Sequence, residues 1–238
     1  MPEQGNPSAG NYEKDRGRAG VADFLLFDLD GTLTASGEGI TKSVQYALEK
    51  MGRPEPDLEK LTVFVGPPLM EQFMDYCTFT ETEARKAVDY FRERYMRIGI
   101  FENRPYPGIE KALAGMKQAG YTIAIASSKP QNAVSLVLDH FGLHHYFDSI
   151  VGSYPDGRRT DKQEVIEEAL RQIGASDRRA QGFMVGDRKH DVVGARKAGL
   201  PCIAVLYGYG SREELEEAQP AYFAESPLQL LELCRKLR

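Results

Sequence analysis

Two kinds of hydrophobic pattern divide this chain. Residues 36–103 carry apolar side chains at helical spacing, as at Val44 and Leu48, and Gly52 ends the first such segment. From Tyr106 onward, short apolar runs alternate with amphipathic segments. Alternation of strands and helices is typical of a doubly wound parallel sheet, whereas the earlier stretch predicts helices alone.

The alternating part predicts strands and helices in strict succession. The predicted strands are 121–126, 149–152, 182–185, 202–206 and 222–224, and the predicted helices are 107–119, 130–141, 161–173, 189–198, 212–218 and 228–237. A further strand is predicted at 22–28, before helices at 41–51, 57–62, 70–76 and 81–98. The expected fold is therefore α/β, with a doubly wound (Rossmann-like) parallel sheet core and an inserted all-helical segment.

Two carboxylates follow the first apolar run. In an extended chain Asp28 and Asp30 lie on one face, with Leu29 on the other. Two like charges this close are unfavourable unless a cation accompanies them or one is protonated. A hairpin turn at Asp30-Gly31 is the alternative interpretation. Residues 34–40 do not continue an alternating strand, so the pattern favours a chemical role for the two carboxylates.

Composition narrows the class of protein. A chain of 238 residues, 42% hydrophobic and 27% charged, is typical of a globular protein, and a net charge of −5 gives no electrostatic reason to expect nucleic acid or membrane partners. No apolar stretch reaches membrane-spanning length. Cys77, Cys202 and Cys234 are widely spaced and are interpreted as reduced thiols, so we expect a cytoplasmic protein. Residues 1–21 lack apolar periodicity and are expected to form a disordered tail, whether native or added.

Two further clusters follow predicted strands. Ser127 and Ser128 precede Pro130 at the start of a helix, where a hydroxyl beside unpaired N–H groups suits a phosphate; an ordinary helix cap is the alternative. Lys162 stands in a first helical turn, which is unfavourable to the helix dipole, so a bound anion would explain it. A solvated lysine is the alternative, and Lys129 is the rival candidate for the same role.

A third cluster carries a second pair of carboxylates. Asp187 ends a predicted strand and Asp191 lies one helical turn later, so both can face one point. A few oxygen ligands beside a phosphate suit Mg²⁺. The alternative for Asp191 is a surface pair with Arg188 or Lys189, and His190 is interpreted as a solvated residue instead of a ligand. The roles of these three basic residues stay open.

The segment Asp28-Leu29-Asp30-Gly31-Thr32 resembles the first motif of the haloacid dehalogenase superfamily, most of whose members are magnesium-dependent phosphatases. Ser127 stands in the place of the second motif, Lys162 in that of the third, and Asp187 with Asp191 in that of the fourth. One departure is Gln163, where many members have proline after the lysine.

The helical insert resembles the small α-helical cap of this family. The resemblance implies a core of residues 22–35 and 104–238, with a cap of residues 36–103. Members called phosphoglycolate phosphatases or 5′-nucleotidases are the most similar. The implied activity is Mg²⁺-dependent hydrolysis of a small phosphate monoester through an aspartyl phosphate, of the phosphoglycolate phosphatase kind. The alternatives are a 5′-nucleotidase, then a phosphomutase of the beta-phosphoglucomutase type, then a non-catalytic binding module.

The resemblance also implies residue roles. Asp28 would be the nucleophile, Asp30 the general acid and base, and Lys162 a catalytic residue that binds the phosphoryl group together with Ser127 and Ser128. The implied magnesium ligands are Asp28, Asp30 through its main-chain carbonyl, Asp187, and Asp191 through water. The partner would be a small phosphorylated metabolite or nucleotide, bound by a monomer or homodimer. The substrate itself is not determined by these motifs.

Overall fold

A six-stranded parallel sheet forms the centre of the molecule. The computed structural model describes residues 21–154 and 156–238. Its strands are β1 (Phe24–Phe27), β2 (Thr122–Pro130), β3 (Ser149–Ser153), β4 (Gly182–Gly186), β5 (Cys202–Val205) and β6 (Tyr222–Ala224). The strand order is β3-β2-β1-β4-β5-β6, with every pair parallel. Because β1 lies between β2 and β4, the carboxyl ends of these three strands are neighbours.

Helices cover both faces of this sheet. After β1 come α1 (Gly37–Lys50), α2 (Leu69–Asp75), α3 (Glu81–Tyr95), α4 (Ile109–Gln118), α5 (Gln131–His140), α6 (Lys162–Gln172), α7 (Lys189–Lys197), α8 (Arg212–Ala218) and α9 (Pro227–Leu237). Successive side chains of β1 enter two separate apolar clusters, Leu25 in one and Leu26 in the other. A parallel sheet buried on both faces in this way confirms the predicted doubly wound α/β class.

The insert between β1 and β2 is helical throughout. Residues 36–103, all of which the structure describes, contain α1 to α3, 3₁₀ turns at Lys60–Phe64 and Gly99–Phe101, and loops. Helix α3 begins with a capping box, in which Thr80 and Glu83 each bond the other's backbone N–H. Buried Val44, Leu61 and Phe73 pack the interior of the insert, and this packing continues into the apolar cluster on one sheet face. The division into two domains stays a prediction.

The largest difference from the predicted elements is at the end of β2. The predicted strand stops at residue 126, but β2 continues through Pro130 with a shift of register after Ala126, and α5 begins at Gln131. Pairing of Pro130 with Ser153 on β3 keeps these residues extended. The Gln131 side chain accepts a hydrogen bond from Gly152 N–H at 2.7 Å, which joins the start of α5 to β3.

Three predicted helices of the insert also differ. The helix expected at 41–51 begins at Gly37, the helix expected at 57–62 is a 3₁₀ turn at Lys60–Phe64, and the helix expected at 81–98 ends at Tyr95. Most other boundaries agree within about two residues. In the described part of the chain, the helices are too short or too polar to cross a bilayer. The predicted tail lies outside the described residues except for Val21.

Candidate active site

The predicted site residues meet at the carboxyl edge of the sheet. Asp28 and Asp30 follow β1, Ser127 lies in the last part of β2, Asp187 follows β4, and Lys162 opens α6. All five side chains are buried. Parallel strands place their carboxyl ends together, so residues distant in sequence become neighbours here.

Lys162 joins two of the carboxylates. Its Nζ lies 2.9 Å from Asp28 Oδ1 and 2.8 Å from Asp191 Oδ1. The same ammonium donates to the main-chain carbonyl of Ala126 at 3.2 Å. Burial disfavours an ammonium, but Asp191 and Asp28 together outweigh it and raise the pKa of Lys162. The structure therefore places Lys162 beside the nucleophile that the resemblance implies.

Asp187 is fixed by groups from two other segments. Its Oδ1 accepts a hydrogen bond from Thr32 Oγ1 at 3.2 Å, and its Oδ2 accepts one from Tyr209 N–H at 2.8 Å. Gly31 adopts φ +81°, and a Cβ there would lie 2.1 Å from Asp187 Oδ2. The glycine of the first motif is thus required both by its backbone conformation and by the approach of Asp187.

Asp191 is held in the same manner at the start of α7. Its Oδ2 accepts a hydrogen bond from Arg188 N–H at 3.1 Å, while its Oδ1 faces Lys162. A Cβ on Gly186 would lie 2.2 Å from Asp191 Cγ, so this position also requires glycine. The side-chain pair of Asp191 with Lys189 or Arg188, considered as an alternative, is replaced by the buried pair with Lys162.

The electrostatic balance of this cluster is negative. One ligand oxygen each of Asp28, Asp187 and Asp191 lies within 4.8 Å of the others, and Lys162 contributes a single positive charge. Burial, which outweighs the nearby ammonium, raises the pKa of Asp28 to about 6. Burial and then Asp191 raise the pKa of Asp187 well above its ordinary value. With all three carboxylates ionised, the cluster carries three negative charges and one positive charge, so two positive charges are missing.

These residues fit a divalent cation. Asp28 Oδ1 and Asp191 Oδ1 are buried; each faces Lys162 in an ion pair and has no further hydrogen-bond donor among the described residues. Carboxylate oxygens are the ligands that Mg²⁺ prefers, and one such ion would supply the two missing charges. His190 is half-buried and is not one of the residues that supply these oxygens; burial lowers its pKa, and its role stays a prediction.

Asp30 has a separate partner. Lys129 Nζ donates to its Oδ1 at 3.0 Å and to its Oδ2 at 2.8 Å, and also to Tyr95 Oη at 2.5 Å. Lys129, the rival candidate for the third motif, thus pairs with the second aspartate, whereas Lys162 pairs with the first. Tyr95 comes from the insert, and nothing in its local sequence marked it as a site residue.

The two serines stand on extended backbone. Because β2 continues to Pro130, Ser127 and Ser128 lie in the strand, four and three residues before the first residue of α5. Neither serine therefore acts as the cap of that helix. Lys129 N–H donates to Ser127 Oγ at 3.4 Å, and both serines line the cavity described next. Their role in binding a phosphoryl group stays a prediction.

A cavity of about 300 Å³ lies between the sheet edge and the insert. Asp28, Asp30, Ser127, Ser128 and Lys129 stand on its sheet side. Its insert side is mostly apolar, with Ile40, Phe64, Gly66, Pro67, Pro68, Leu69, Met70, Val88, Phe91, Tyr95 and Met96, and it also contains the charged residues Glu71 and Arg92. A molecule in this cavity would meet carboxylates at one end and apolar side chains at the other.

Arg188 connects the segment from Asp187 to Asp191 to the insert. Its Nη1 donates to the carbonyl of Val65 at 2.7 Å, and its Nε donates to Glu214 Oε1 at 2.9 Å. Glu214 also accepts a hydrogen bond from Lys189 N–H at 2.9 Å. The loop that contains Gly66 is thereby held against the sheet edge, which gives Arg188 a structural contact that its sequence position did not reveal.

Comparison with protein families gives a match over residues 25–205 to the model described as "haloacid dehalogenase-like hydrolase". A 5′-nucleotidase of Pseudomonas aeruginosa is 44% identical over 199 residues, which are 84% of this chain and 89% of the relative. The protein called tyrosine-protein kinase PtkA of Mycobacterium tuberculosis is 36% identical over 194 residues, which are 82% of this chain and 65% of that protein.

The fold has a close counterpart among solved structures. The crystal structure of a protein described as a predicted phosphatase from Clostridium acetobutylicum superposes with a TM-score of 0.88 at 44% sequence identity. The superposition covers 91% of this chain and all of that one, so both the sheet and the helical insert take part in it.

Proposed function

Since this chain belongs to the haloacid dehalogenase-like hydrolase family and is a phosphatase, we propose that it hydrolyses nucleoside 5′-monophosphates with Mg²⁺ and through an aspartyl phosphate. The observation that carries this proposal is the cavity of about 300 Å³, which joins the carboxylates Asp28 and Asp30 to a mostly apolar wall and has the scale of a sugar with a base. The name of the relative that is 44% identical agrees with it.

Asp28 is the nucleophile in this proposal. Its carboxylate oxygen forms a bond to phosphorus as the bond between phosphorus and the leaving oxygen breaks. Lys162 lies beside Asp28 and, with Ser127 and Ser128, would hold the non-bridging phosphoryl oxygens. Preorganised hydrogen-bond donors around these oxygens stabilise the negative charge in the transition state.

Asp30 moves the proton. It protonates the leaving oxygen in the first step, and in the second it accepts a proton from the water that attacks phosphorus and releases Asp28. Asp28, the main-chain carbonyl of Asp30 and Asp187 would hold Mg²⁺ directly, and Asp191 would do so through water. When bound, the ion offsets the repulsion between the phosphate dianion and the carboxylates.

The shape of the cavity favours a nucleotide over phosphoglycolate. Glycolate is a small anion and would leave most of the 300 Å³ unfilled. A nucleoside offers a flat base, which suits the apolar part of the lining, including Phe64, Pro67, Pro68 and Phe91. Phosphoglycolate, the first expectation from the family resemblance, stays in the test as the competing substrate.

A panel of phosphate esters tests this function. Free phosphate would be measured with nucleoside 5′-monophosphates, 2-phosphoglycolate and glucose 1-phosphate, each with and without Mg²⁺. We expect kcat/KM for the best nucleotide to exceed that for phosphoglycolate by at least about tenfold, the discrimination typical of apolar pocket contacts. Faster hydrolysis of phosphoglycolate would overturn the substrate assignment, and isomerised sugar phosphate in place of free phosphate would indicate a mutase.

Because one relative is called a tyrosine-protein kinase, the panel needs one further assay, for kinase activity. The protein would be incubated with ATP and a tyrosine-containing peptide, and phosphotyrosine would be measured. We expect no phosphotyrosine above the level of an Asp28→Asn variant, because the phosphoryl group of the proposed aspartyl phosphate is transferred to water. Stoichiometric peptide phosphorylation that depends on Asp28 would contradict the proposal.

A further inference from the structure

The carboxylate of Asp30 is held on both oxygens by one lysine. Lys129 Nζ lies 3.0 Å from Oδ1 and 2.8 Å from Oδ2. The side chains of Lys129 and Asp30 are 7% and 10% exposed, so water competes little for this contact. The orientation of Asp30 in the cavity therefore depends on where the Lys129 ammonium lies.

The position of Lys129 depends in turn on the insert. Its Nζ donates to Tyr95 Oη at 2.5 Å and lies 4.7 Å from the centre of the Tyr95 ring. Tyr95 is the last residue of α3, and its ring stacks on Phe91 at 5.0 Å with an interplanar angle of 16°. A chain of contacts thus runs from the insert, through Tyr95 and Lys129, to Asp30 on the core.

We infer that Tyr95 and Lys129 are positioning residues for the proton transfer by Asp30, and that they make this transfer depend on the insert lying against the sheet. The inference rests on the acid–base role of Asp30 in the proposed function. Lys129 fixes the direction in which Asp30 presents its proton to the leaving oxygen as the P–O bond breaks. Tyr95 fixes Lys129 through a hydrogen bond and a cation–π contact.

A positioning role has a signature that a structural role lacks. Phenolate needs a proton to leave from phosphorus, whereas p-nitrophenolate leaves readily without one. Phenyl phosphate and p-nitrophenyl phosphate present the same ring to the cavity, so a defect in binding would affect both. A defect in the orientation of Asp30 would affect the first step of phenyl phosphate hydrolysis alone.

The Tyr95→Phe variant removes one oxygen and keeps the ring that stacks on Phe91. Its control is Tyr46→Phe, which removes a tyrosine hydroxyl from the same insert, where Tyr46 Oη donates to Glu93 at 2.8 Å. We expect Tyr95→Phe to slow the first turnover of phenyl phosphate about tenfold and that of p-nitrophenyl phosphate less than about twofold, as for loss of one hydrogen bond to a charged group. We expect Tyr46→Phe to change neither.

Lys129→Met and Asp30→Asn complete the experiment, with rapid mixing to resolve the first turnover and thermal melting to verify folding. Lys129→Met should show the same selectivity with a larger effect, and if it lowers the melting temperature strongly, Tyr95→Phe decides the question alone. If Asp30→Asn slows both esters equally, the acid role in the proposed function is wrong, and the inference is wrong with it. If Asp30→Asn is selective but Tyr95→Phe slows both esters equally or neither, the positioning inference alone is overturned.

Discussion

The two sides of the cavity are built in different ways. On the sheet side, buried charged groups are fixed by specific contacts, as Lys162 is to Asp28 and Asp191. On the insert side, apolar side chains such as Phe64 and Phe91 meet the cavity through contacts that have no fixed direction. We infer from this difference that the reaction takes place on the sheet side and that the insert side selects the leaving group.

The difference between the two sides of the cavity can be measured by the effect of substitutions on turnover. A change on the sheet side should lower turnover of every phosphate ester, because all of them share the phosphoryl group. A change on the insert side should alter the order of preference among esters, because it acts on the part in which they differ. Tyr95 is the exception, since it belongs to the insert but contacts Lys129.

Asp28→Asn should have the largest effect. The amide cannot form an acyl phosphate, so we expect turnover of every ester to fall by at least about 10⁴-fold, as when other enzymes lose a nucleophile. The melting temperature without metal should not fall, because the substitution removes one of three mutually repelling carboxylates. Phosphate release and melting would be measured on the same sample, and substantial turnover in the folded variant would remove Asp28 from its role.

Removal of the metal should have the next largest effect. EDTA should abolish turnover of all esters, and Mg²⁺ should restore it. At about 100 times its Kd, Mg²⁺ should raise the melting temperature of the wild type by about 5–10 °C. Asp187→Asn should lose this shift, whereas Asp177→Asn, an exposed aspartate remote from the cluster, should retain it. Equal shifts in both variants would exclude Asp187 as a ligand.

Substitutions in the loop Gly66-Pro67-Pro68 test the insert side of the cavity. All three residues line the cavity, so Pro67→Ala with Pro68→Ala should lower kcat/KM for the best nucleotide about tenfold and that for acetyl phosphate, a small activated acyl phosphate, by less than about threefold. Gly66 is left unchanged because its φ is +104°. Equal losses with both substrates would mean that this loop supports the structure without selecting the leaving group.

Arg188 should give the smallest effect of the four. Arg188→Gln removes the side-chain bond to Val65 and the pair with Glu214, but keeps the main-chain N–H that bonds Asp191. We expect KM for nucleotides to rise about threefold and kcat to stay the same, as for one lost hydrogen bond between the loop and the core. The control is Arg212→Gln, which replaces an exposed arginine at the start of α8. A fall in kcat without a change in KM would place Arg188 in the reaction instead.

The sheet side of the cavity could be predicted from sequence because its carboxylates lie close together within single elements. Asp28 and Asp30 share a strand end, and Asp187 and Asp191 are one helical turn apart, so their spacing alone indicates a common point. Parallel strands then bring those points together. The same rule was insufficient at Ser127, where pairing with β3 kept the chain extended beyond the expected end of the strand.

The insert side could not be predicted in the same detail. Tyr95, Val65 and the pairing of Lys129 with Asp30 depend on how α3 and the 66–68 loop pack against the sheet, and helical periodicity does not contain that information. Tyr209, whose N–H donates to Asp187, follows Gly208, which allows Asp187 to approach, and neither contact could be read from the spacing of residues. Contacts between distant segments were therefore the part of the site that sequence patterns left open.

The central claim is that Asp28 carries the phosphoryl group between substrate and water. Asp30→Asn makes this species observable, because the aspartyl phosphate should form from p-nitrophenyl phosphate and then break down slowly for lack of a base. The measurement is the release of nitrophenolate on rapid mixing, followed by acid quench and peptide mass analysis. We expect a burst equal to the enzyme concentration, with the phosphoryl group on the peptide that contains Asp28. A phosphoryl group on any other residue, or steady release without a burst or a labelled peptide, would contradict it.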